Sequence, residues 1–335
     1  MEYRFLGKTG LKVSEIALGT QTFGWVTGEK DAHTMLGHFT DSGGNFLDTA
    51  NIYNDGESER ILGSWLDSHK KQRDDLVIAS KVFFPVGEGP NSTGLTRKHI
   101  MSQIDQSLSR LHTGYIDLYQ MHCWDSSTPL EETLSVLDDL VRSGKIRYAG
   151  ASNFTASQLM KALMLGKTCG YAPFVSLQPE YSLIVRSTEW ELIPLCIEEG
   201  LGVLPWSPLA GGWLTGKYKR DGQPPENSRV GRKDRWDDQP DQRESELTWR
   251  VVDGLNTVAR RTGKTPAQVA LNWCMNRPGV TAPVLGARTM EQLRDNMGCT
   301  GWRISPEDID VLNRASAVTL PYPYRFIERY TRRRD

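Results

Sequence analysis

The sequence predicts an α/β protein of the (β/α)8 TIM-barrel class, with an N-terminal β-hairpin and extra helices. Three observations lead there. Short apolar or β-branched runs alternate with longer stretches of helical periodicity. Eight such strand runs fit within a chain of 335 residues, a length these barrels reach as one domain spanning 1–335. Alternation of this kind implies a parallel sheet with right-handed crossovers. The rival is a doubly wound open sheet, which carries a Gly-rich phosphate turn after its first strand. Here the first strand ends in Gly19-Thr20-Gln21-Thr22-Phe23-Gly24, without the G-x-G-x-x-G spacing.

Taken in order, Tyr3 to Val13 reads as a hairpin turning at Lys8-Thr9-Gly10. Strands follow at 14–20, 45–50, 76–81, 115–122, 146–153, 174–180, 201–206 and 280–286. Between them, Ile100, Ile104, Leu108 and Leu111 repeat at helical spacing, as do Leu134, Leu137, Leu140 and Val141, and Met290, Leu293 and Met297. Thr155 with Gln158, Thr265 with Gln268, and Thr289 with Gln292 read as capping boxes, while Gly144 and Gly200 sit where helices end. A long polar stretch, 209–246, interrupts the rhythm after the seventh strand and belongs on the rim of the strand C-termini. Two helical segments, about 247–261 and 266–276, precede the eighth strand, and one is extra to the simple repeat. A last helix, about 306–316, opens at Ser305-Pro306, and a tail at 318–335 carries Tyr322, Tyr324 and Phe326.

Composition excludes several classes. With 38% hydrophobic and 24% charged residues the chain is globular, and a net charge of −1 provides no basic field for nucleic acid. The triplet Arg332-Arg333-Arg334 reads as a solvated terminus. The opening MEYRFLGKTG lacks a basic region followed by an apolar one, so a secretory leader is not expected, and no apolar run approaches the roughly 20 residues that span a bilayer. The five cysteines lack C-x-x-C spacing, so neither a disulfide framework nor a metal site is expected and a reducing cytoplasm fits. Oligomeric state is left open.

Active sites of such barrels gather at the strand C-termini. There the sequence puts Asp48, Tyr53, Lys81 and His122, from three consecutive strands. Alone, each has an ordinary reading as a cap, a packed ring or a solvated charge. Together they make chemical sense. A carbonyl that accepts hydride also needs a proton. A phenol can donate it, but with a pKa of about 10 it does so sluggishly near neutrality. A neighbouring ammonium is expected to lower that pKa, and an Asp to keep the ammonium charged. A His beside the phenol can hydrogen-bond the substrate oxygen.

These four residues resemble, residue for residue, the catalytic tetrad of the aldo-keto reductases. The resemblance extends through Leu47-Asp48-Thr49-Ala50-x-x-Tyr53, Gly19-Thr20, Ala151-Ser152-Asn153, Gln178-Pro179-Glu180-Tyr181, Pro205-Trp206-Ser207-Pro208-Leu209 and Gly286-Ala287-Arg288-Thr289. It implies the same barrel fold, and NADPH as cofactor with NADH a weaker partner. Ser152, Asn153 and Gln178 would hold the nicotinamide carboxamide, and Trp206 would stack on the ring. Thr20, Gln21 and Asp48 would border it. Ser207, Pro208, Leu209 and Gly211 would surround the pyrophosphate. Gly286, Arg288, Gln292, Asp295 and Asn296 would hold the adenosine phosphate end, where a guanidinium suits a 2′-phosphate. Better-known members carry Lys-Ser where this chain has Gly286-Ala287, and Arg where it has Gln292. Steroid double-bond reductases of the family carry Glu at the position of His122, so carbonyl reduction is expected.

For the substrate, an aldehyde, ketone or alcohol, Phe23, Trp25, Phe83, Phe84 and Trp124 follow strand ends, and Trp25, Tyr53, Phe83 and Trp124 are expected to line an aromatic pocket. Two other readings stand beside the reductase. The same residues would serve an NAD(P)-dependent alcohol or sugar dehydrogenase. The chain is also similar to the potassium-channel β subunits, which bind cofactor as regulatory modules. Those lack the tetrad His, so His122 and a family-like region starting by residue 3 favour the enzyme.

Overall fold

The computed structural model describes residues 1–220, 222–226, 228 and 243–331. Positions 221, 227 and 229–242 of the long stretch, and the basic triplet Arg332–Arg334, lie outside the described residues. Two short strands come first: β1 (Tyr3–Phe5) pairs antiparallel with β2 (Lys12–Ser14). Leu6 and Val13 of this hairpin are buried with Phe46, Val77, Ala79, Leu118, Val175, Leu204 and Ala282, so the hairpin stoppers one end of an apolar barrel interior. Gly7 makes the seal. Its φ is +58°, and a Cβ there would lie 2.5 Å from the Gly200 carbonyl oxygen.

Eight parallel strands follow: β3 (Ala17–Gly19), β4 (Phe46–Asp48), β5 (Val77–Val82), β6 (Ile116–Met121), β7 (Ile146–Ser152), β8 (Phe174–Gln178), β9 (Gly202–Val203) and β10 (Val284–Gly286). They lie side by side in the order β10-β3-β4-β5-β6-β7-β8-β9. Bonds between β9 and the run before β10 close the ring. Thr281 donates its N–H to the Val203 carbonyl and Val284 to that of Pro205, each at 2.8 Å. The expected eighth strand is shorter than 280–286 because Pro283 has no N–H to donate, and Pro205 cuts the seventh in the same way. Ser14 belongs to the hairpin, opposite Tyr3, and not to the first barrel strand.

The helices are α1 (Glu29–Asp41), α2 (Glu57–Ser68), α3 (Arg97–Arg110), α4 (Leu130–Arg142), α5 (Ala156–Cys169), α6 (Leu192–Glu199), α7 (Glu246–Thr262), α8 (Pro266–Met275), α9 (Met290–Met297), α10 (Pro306–Ala315) and α11 (Tyr324–Thr331). A second core lies between strands and helices. Ile100, Ile104 and Leu111, and Leu134, Leu137 and Leu140, all point into it. Each such side chain contributes roughly 1.5–3 kcal/mol by leaving water. The capping boxes at Thr155 and Thr265 form in full. The third forms by half: Thr289 accepts from the Gln292 N–H, but the Gln292 side chain turns to the Arg288 N–H at 3.0 Å. Gly200, at φ 74°, ends α6 as expected.

One buried ion pair fixes the strand that carries Lys81. Glu59 of α2 has no exposed surface. Its carboxylate accepts from Ser80 Oγ on β5 at 2.5 Å and from Arg110 Nε of α3 at 2.7 Å. Helix α11 was not foreseen in the tail. It touches the body through Tyr324, whose ring lies 5.5 Å from that of Trp190. No described helix is long and apolar enough to cross a membrane.

Candidate active site

The strand C-termini open onto a cleft of about 870 Å3. Asp48 ends β4 and Lys81 lies near the end of β5, both buried. The Lys81 ammonium has three protons, and each finds an acceptor: the Asp48 carboxylate in a short contact, the Thr49 carbonyl at 2.8 Å and the Tyr53 hydroxyl oxygen at 3.3 Å. The other Asp48 oxygen accepts from Gln178 Nε2 at 2.7 Å. An ammonium can only donate, so the Tyr53 oxygen is the acceptor in that contact and its own proton is available elsewhere. The cleft lies on its open side.

Tyr53 begins a one-turn helix, Tyr53–Gly56, in which Asn54 and Asp55 adopt left-handed φ of 51° and 56°. The amide of Asn54 donates to the carbonyls of Gln21 (2.8 Å) and Phe23 (2.7 Å), pinning the turn to the loop after β3. His122 directly follows β6. Its ring meets Tyr53 edge-on at 5.8 Å and Phe84 edge-on at 4.8 Å.

Burial governs the protonation states. It pushes the Tyr53 phenol above its ordinary range, against the downward pull of Lys81. This reverses the expectation of a phenol lowered by its lysine: the ammonium pulls as expected, but loss of water outweighs it. Burial also works against the Lys81 ammonium, yet Asp48 and Tyr53 more than offset it and its pKa rises. Burial, with Lys81 adding to it, holds His122 far below its usual value, so the imidazole is neutral. The arrangement is a protonated phenol backed by a fixed ammonium, beside a neutral ring that can donate one hydrogen bond. That is a proton-delivery device.

The far wall is built from amides and backbone. Ser152 Oγ, ending β7, donates to the Gln178 carbonyl at 2.7 Å. Asn153, at φ 55°, donates to the His122 carbonyl at 2.9 Å and accepts from the Trp206 indole N–H at 3.0 Å, which sets the plane of that ring. Ser207 and Ala210 have φ of 50° and 49°, and Gly211 and Gly212 extend this turn with 68° and 98°. Five of the six described non-glycine residues with positive φ therefore sit in turns beside the cleft, His112 being the exception. Gly286 at the end of β10, and Arg288, Gln292, Asp295 and Asn296 beyond it, line the cleft. The Asn296 amide holds the Gly286 carbonyl at 3.1 Å, and Asp295 accepts from Thr265 Oγ1 and Gln268 Nε2, each at 3.0 Å.

Most sequence-predicted residues thus meet in one cleft. Lys81 stands just behind its wall. Thr20 does not reach it: fully buried, its hydroxyl lies 2.7 Å from Ser58 Oγ and binds the Asp48 carbonyl, so it ties strand to helix. Phe83 and Trp124 are likewise not lining residues. Trp124 packs edge-on against Phe154 at 5.2 Å, and the phenylalanine facing the cleft is Phe84. Several lining residues went unread in the sequence: Ile184 and Val185, the ion pair of Glu180 with Arg243 at 3.0 Å, Lys217, and Ala267 and Leu271 of α8. Lys217 lies within the 209–246 stretch expected on the rim of the strand C-termini; nothing in the sequence marks the α8 residues.

Known proteins match this architecture. The profile of the aldo/keto reductase family aligns with residues 15–317. An uncharacterized oxidoreductase of Bacillus subtilis, YrpG, is 38% identical, the match covering 93% of this chain and 95% of that protein. A probable voltage-gated potassium channel subunit beta of Arabidopsis thaliana is 37% identical over 89% and 90% of the two chains. The versiconal hemiacetal acetate reductase of Aspergillus parasiticus is 33% identical over 93% and 96%. The chain belongs to the aldo/keto reductase family. Within it, its relatives include both bacterial oxidoreductases and channel-subunit-like members.

Proposed function

We propose that the protein is an NADPH-dependent carbonyl reductase that converts an aldehyde or ketone to its alcohol, with Tyr53 as proton donor. The observation that carries this reading is the direction of the Lys81–Tyr53 hydrogen bond. It commits the phenol oxygen to accept and frees the proton for a substrate in the cleft. Asp48 keeps Lys81 charged, and His122 donates to the substrate oxygen and orients it over Tyr53.

The residues present fit a nicotinamide dinucleotide. Gln178 uses its amide N–H on Asp48 and retains its carbonyl oxygen as an acceptor for a carboxamide. The Trp206 indole, clamped by Asn153, offers a fixed face for stacking. The Ser207–Gly212 turn brings backbone close to a pyrophosphate, with Lys217 a cation on the same wall. Arg288, just before α9, would bind the 2′-phosphate that favours NADPH over NADH. A reduced nicotinamide bound there would supply the hydride. The same chemistry run backwards is an alcohol dehydrogenase, since the phenol that gives the proton in one direction takes it in the other.

The potassium-channel relative supports a second reading, a cofactor-bound regulatory module. The two readings separate in one experiment: NADPH oxidation over a panel of aldehydes and ketones, with Tyr53→Phe as control. Turnover that falls at least about 100-fold in the variant, with NADPH affinity kept, supports the reductase. Tight NADPH binding without turnover on any carbonyl, or on alcohols in the reverse direction, sinks it.

A further inference from the structure

The cleft wall is divided by charge. Around the arc of β4, β5 and β6, the described residues at the reaction centre are Tyr53, Phe84, His122 and Cys123, with Trp25 on the neighbouring loop after β3. The charges on this arc are Asp48 and Lys81, which are buried and neutralise one another. His122 adds none, since burial keeps it uncharged. Every other charged lining residue among those described comes from the β8–β10 arc: Glu180, Lys217, Arg243, Arg288 and Asp295. Of these, Glu180 and Arg243 pair with each other, and Asp295 is held by α8 and its cap.

We propose that this asymmetry selects substrates by charge: the site takes an uncharged carbonyl on an aromatic or alicyclic skeleton and rejects carbonyl compounds that bear a carboxylate or phosphate. The inference rests on the reductase reading and deepens it. A carbonyl oxygen placed between Tyr53 and His122 brings the carbon skeleton against Phe84, whose ring is already edge-on to His122 at 4.8 Å. An anionic substituent on that skeleton would leave water for a wall whose described residues are aromatic rings and a thiol, with no cation among them to receive it. Burying an unpaired carboxylate is strongly unfavourable, whereas a flat neutral ring gains contact area and edge-to-face geometry.

A matched pair tests the charge alone. Methyl 4-formylbenzoate and 4-carboxybenzaldehyde share ring and aldehyde and differ by one negative charge at pH 7. The neutral ester is expected to be reduced with a kcat/KM at least about 100-fold higher. A ratio near one, or a preference for the acid, overturns the proposal. Phe84→Ala is expected to raise KM for the ester severalfold more than KM for propanal; equal changes for both overturn the aromatic part. If no carbonyl is turned over, the reductase reading fails by itself. The charge discrimination is then judged by calorimetry, comparing methyl benzoate with benzoate on protein saturated with NADP+. Tighter binding of the neutral ester supports it and tighter binding of benzoate refutes it.

Discussion

Replacing Asp48 by Asn removes one charge and almost no volume from the centre of the site. Lys81 is then a fully buried ammonium without a counter-ion. An amide also cannot serve both donors that face it. If its oxygen meets Lys81, its NH2 group opposes the Gln178 Nε2 proton now bound at 2.7 Å. Removing one partner of a buried pair costs about 3–5 kcal/mol. Unfolding entropy scales at about 2.1 cal/mol/K per residue, so for 335 residues that loss lowers Tm by roughly 4–7 °C at pH 7. The effect carries a pH signature. In the wild type the Lys81 pKa is raised on folding, so its contribution is fully present below the unfolded value of about 10.4 and is lost only above it. In Asp48→Asn the folded pKa drops below the unfolded one. The unfolded chain then binds more protons, and the variant gains stability as pH rises. Thermal unfolding followed by circular dichroism at pH 7 and 9.5 should show the gap to wild type narrowing. A gap that stays constant, or a Tm within about 1 °C of wild type at pH 7, refutes the reasoning.

Other consequences are checked as directly. Arg288→Ala should raise KM for NADPH about 10- to 100-fold more than KM for NADH, the worth of a charge-assisted contact to a phosphate; equal effects would mean that Arg288 does not read the 2′-phosphate. His122 stays neutral in the fold while the unfolded chain protonates near pH 6.5, so stability should fall as pH drops below that value. His122→Gln should flatten this decline by up to about 1.4 kcal/mol per pH unit, read from urea midpoints at pH 5 and 7, and identical slopes would exclude the His as the cause. Burial pushes the thiols of Cys196 and Cys299 up to about 12 and that of Cys274 up as well. In the native protein a disulfide reagent should modify exposed Cys169 quickly and half-buried Cys123 slowly, with the other three appearing only in denaturant; a third native thiol would contradict the described burial.

The alternation of strand and helix was legible because each element buries its own face. Ile100, Ile104 and Leu111 announce α3 and then fill the core at those positions. Boundaries blurred where a proline removes one ladder bond and the chain runs on, as at Pro205 and Pro283. Helix α11 went unread although Phe326, Ile327 and Tyr330 share one helical face, because eight residues are a short run for a periodicity argument and none of them is buried. The four residues proposed for catalysis stood out in the sequence because their chemistry is mutual and because they resemble a family motif. The sign of the Tyr53 shift was not, because it depends on how much water the fold removes. Nor did the sequence say that Phe84 and not Phe83 faces the cleft: both lie past the end of β5, where the two-residue alternation of a strand no longer applies.

The left-handed turns at Asn54, Asp55, Asn153, Ser207 and Ala210 bear on how such a protein responds to selection. Each holds an L-residue where glycine would rest more easily, at roughly 1 kcal/mol or more apiece. Asn54 and Asn153 recover part of this through side-chain bonds to neighbouring backbone; Ala210 has no polar side chain with which to do so. A lineage pressed only for heat tolerance would find its easiest gains at these turns, by drifting toward glycine. The same changes would loosen the aim of Tyr53 and Trp206. Durability and catalytic competence therefore pull on the same few peptide units, and the rim of the barrel is where that conflict is decided.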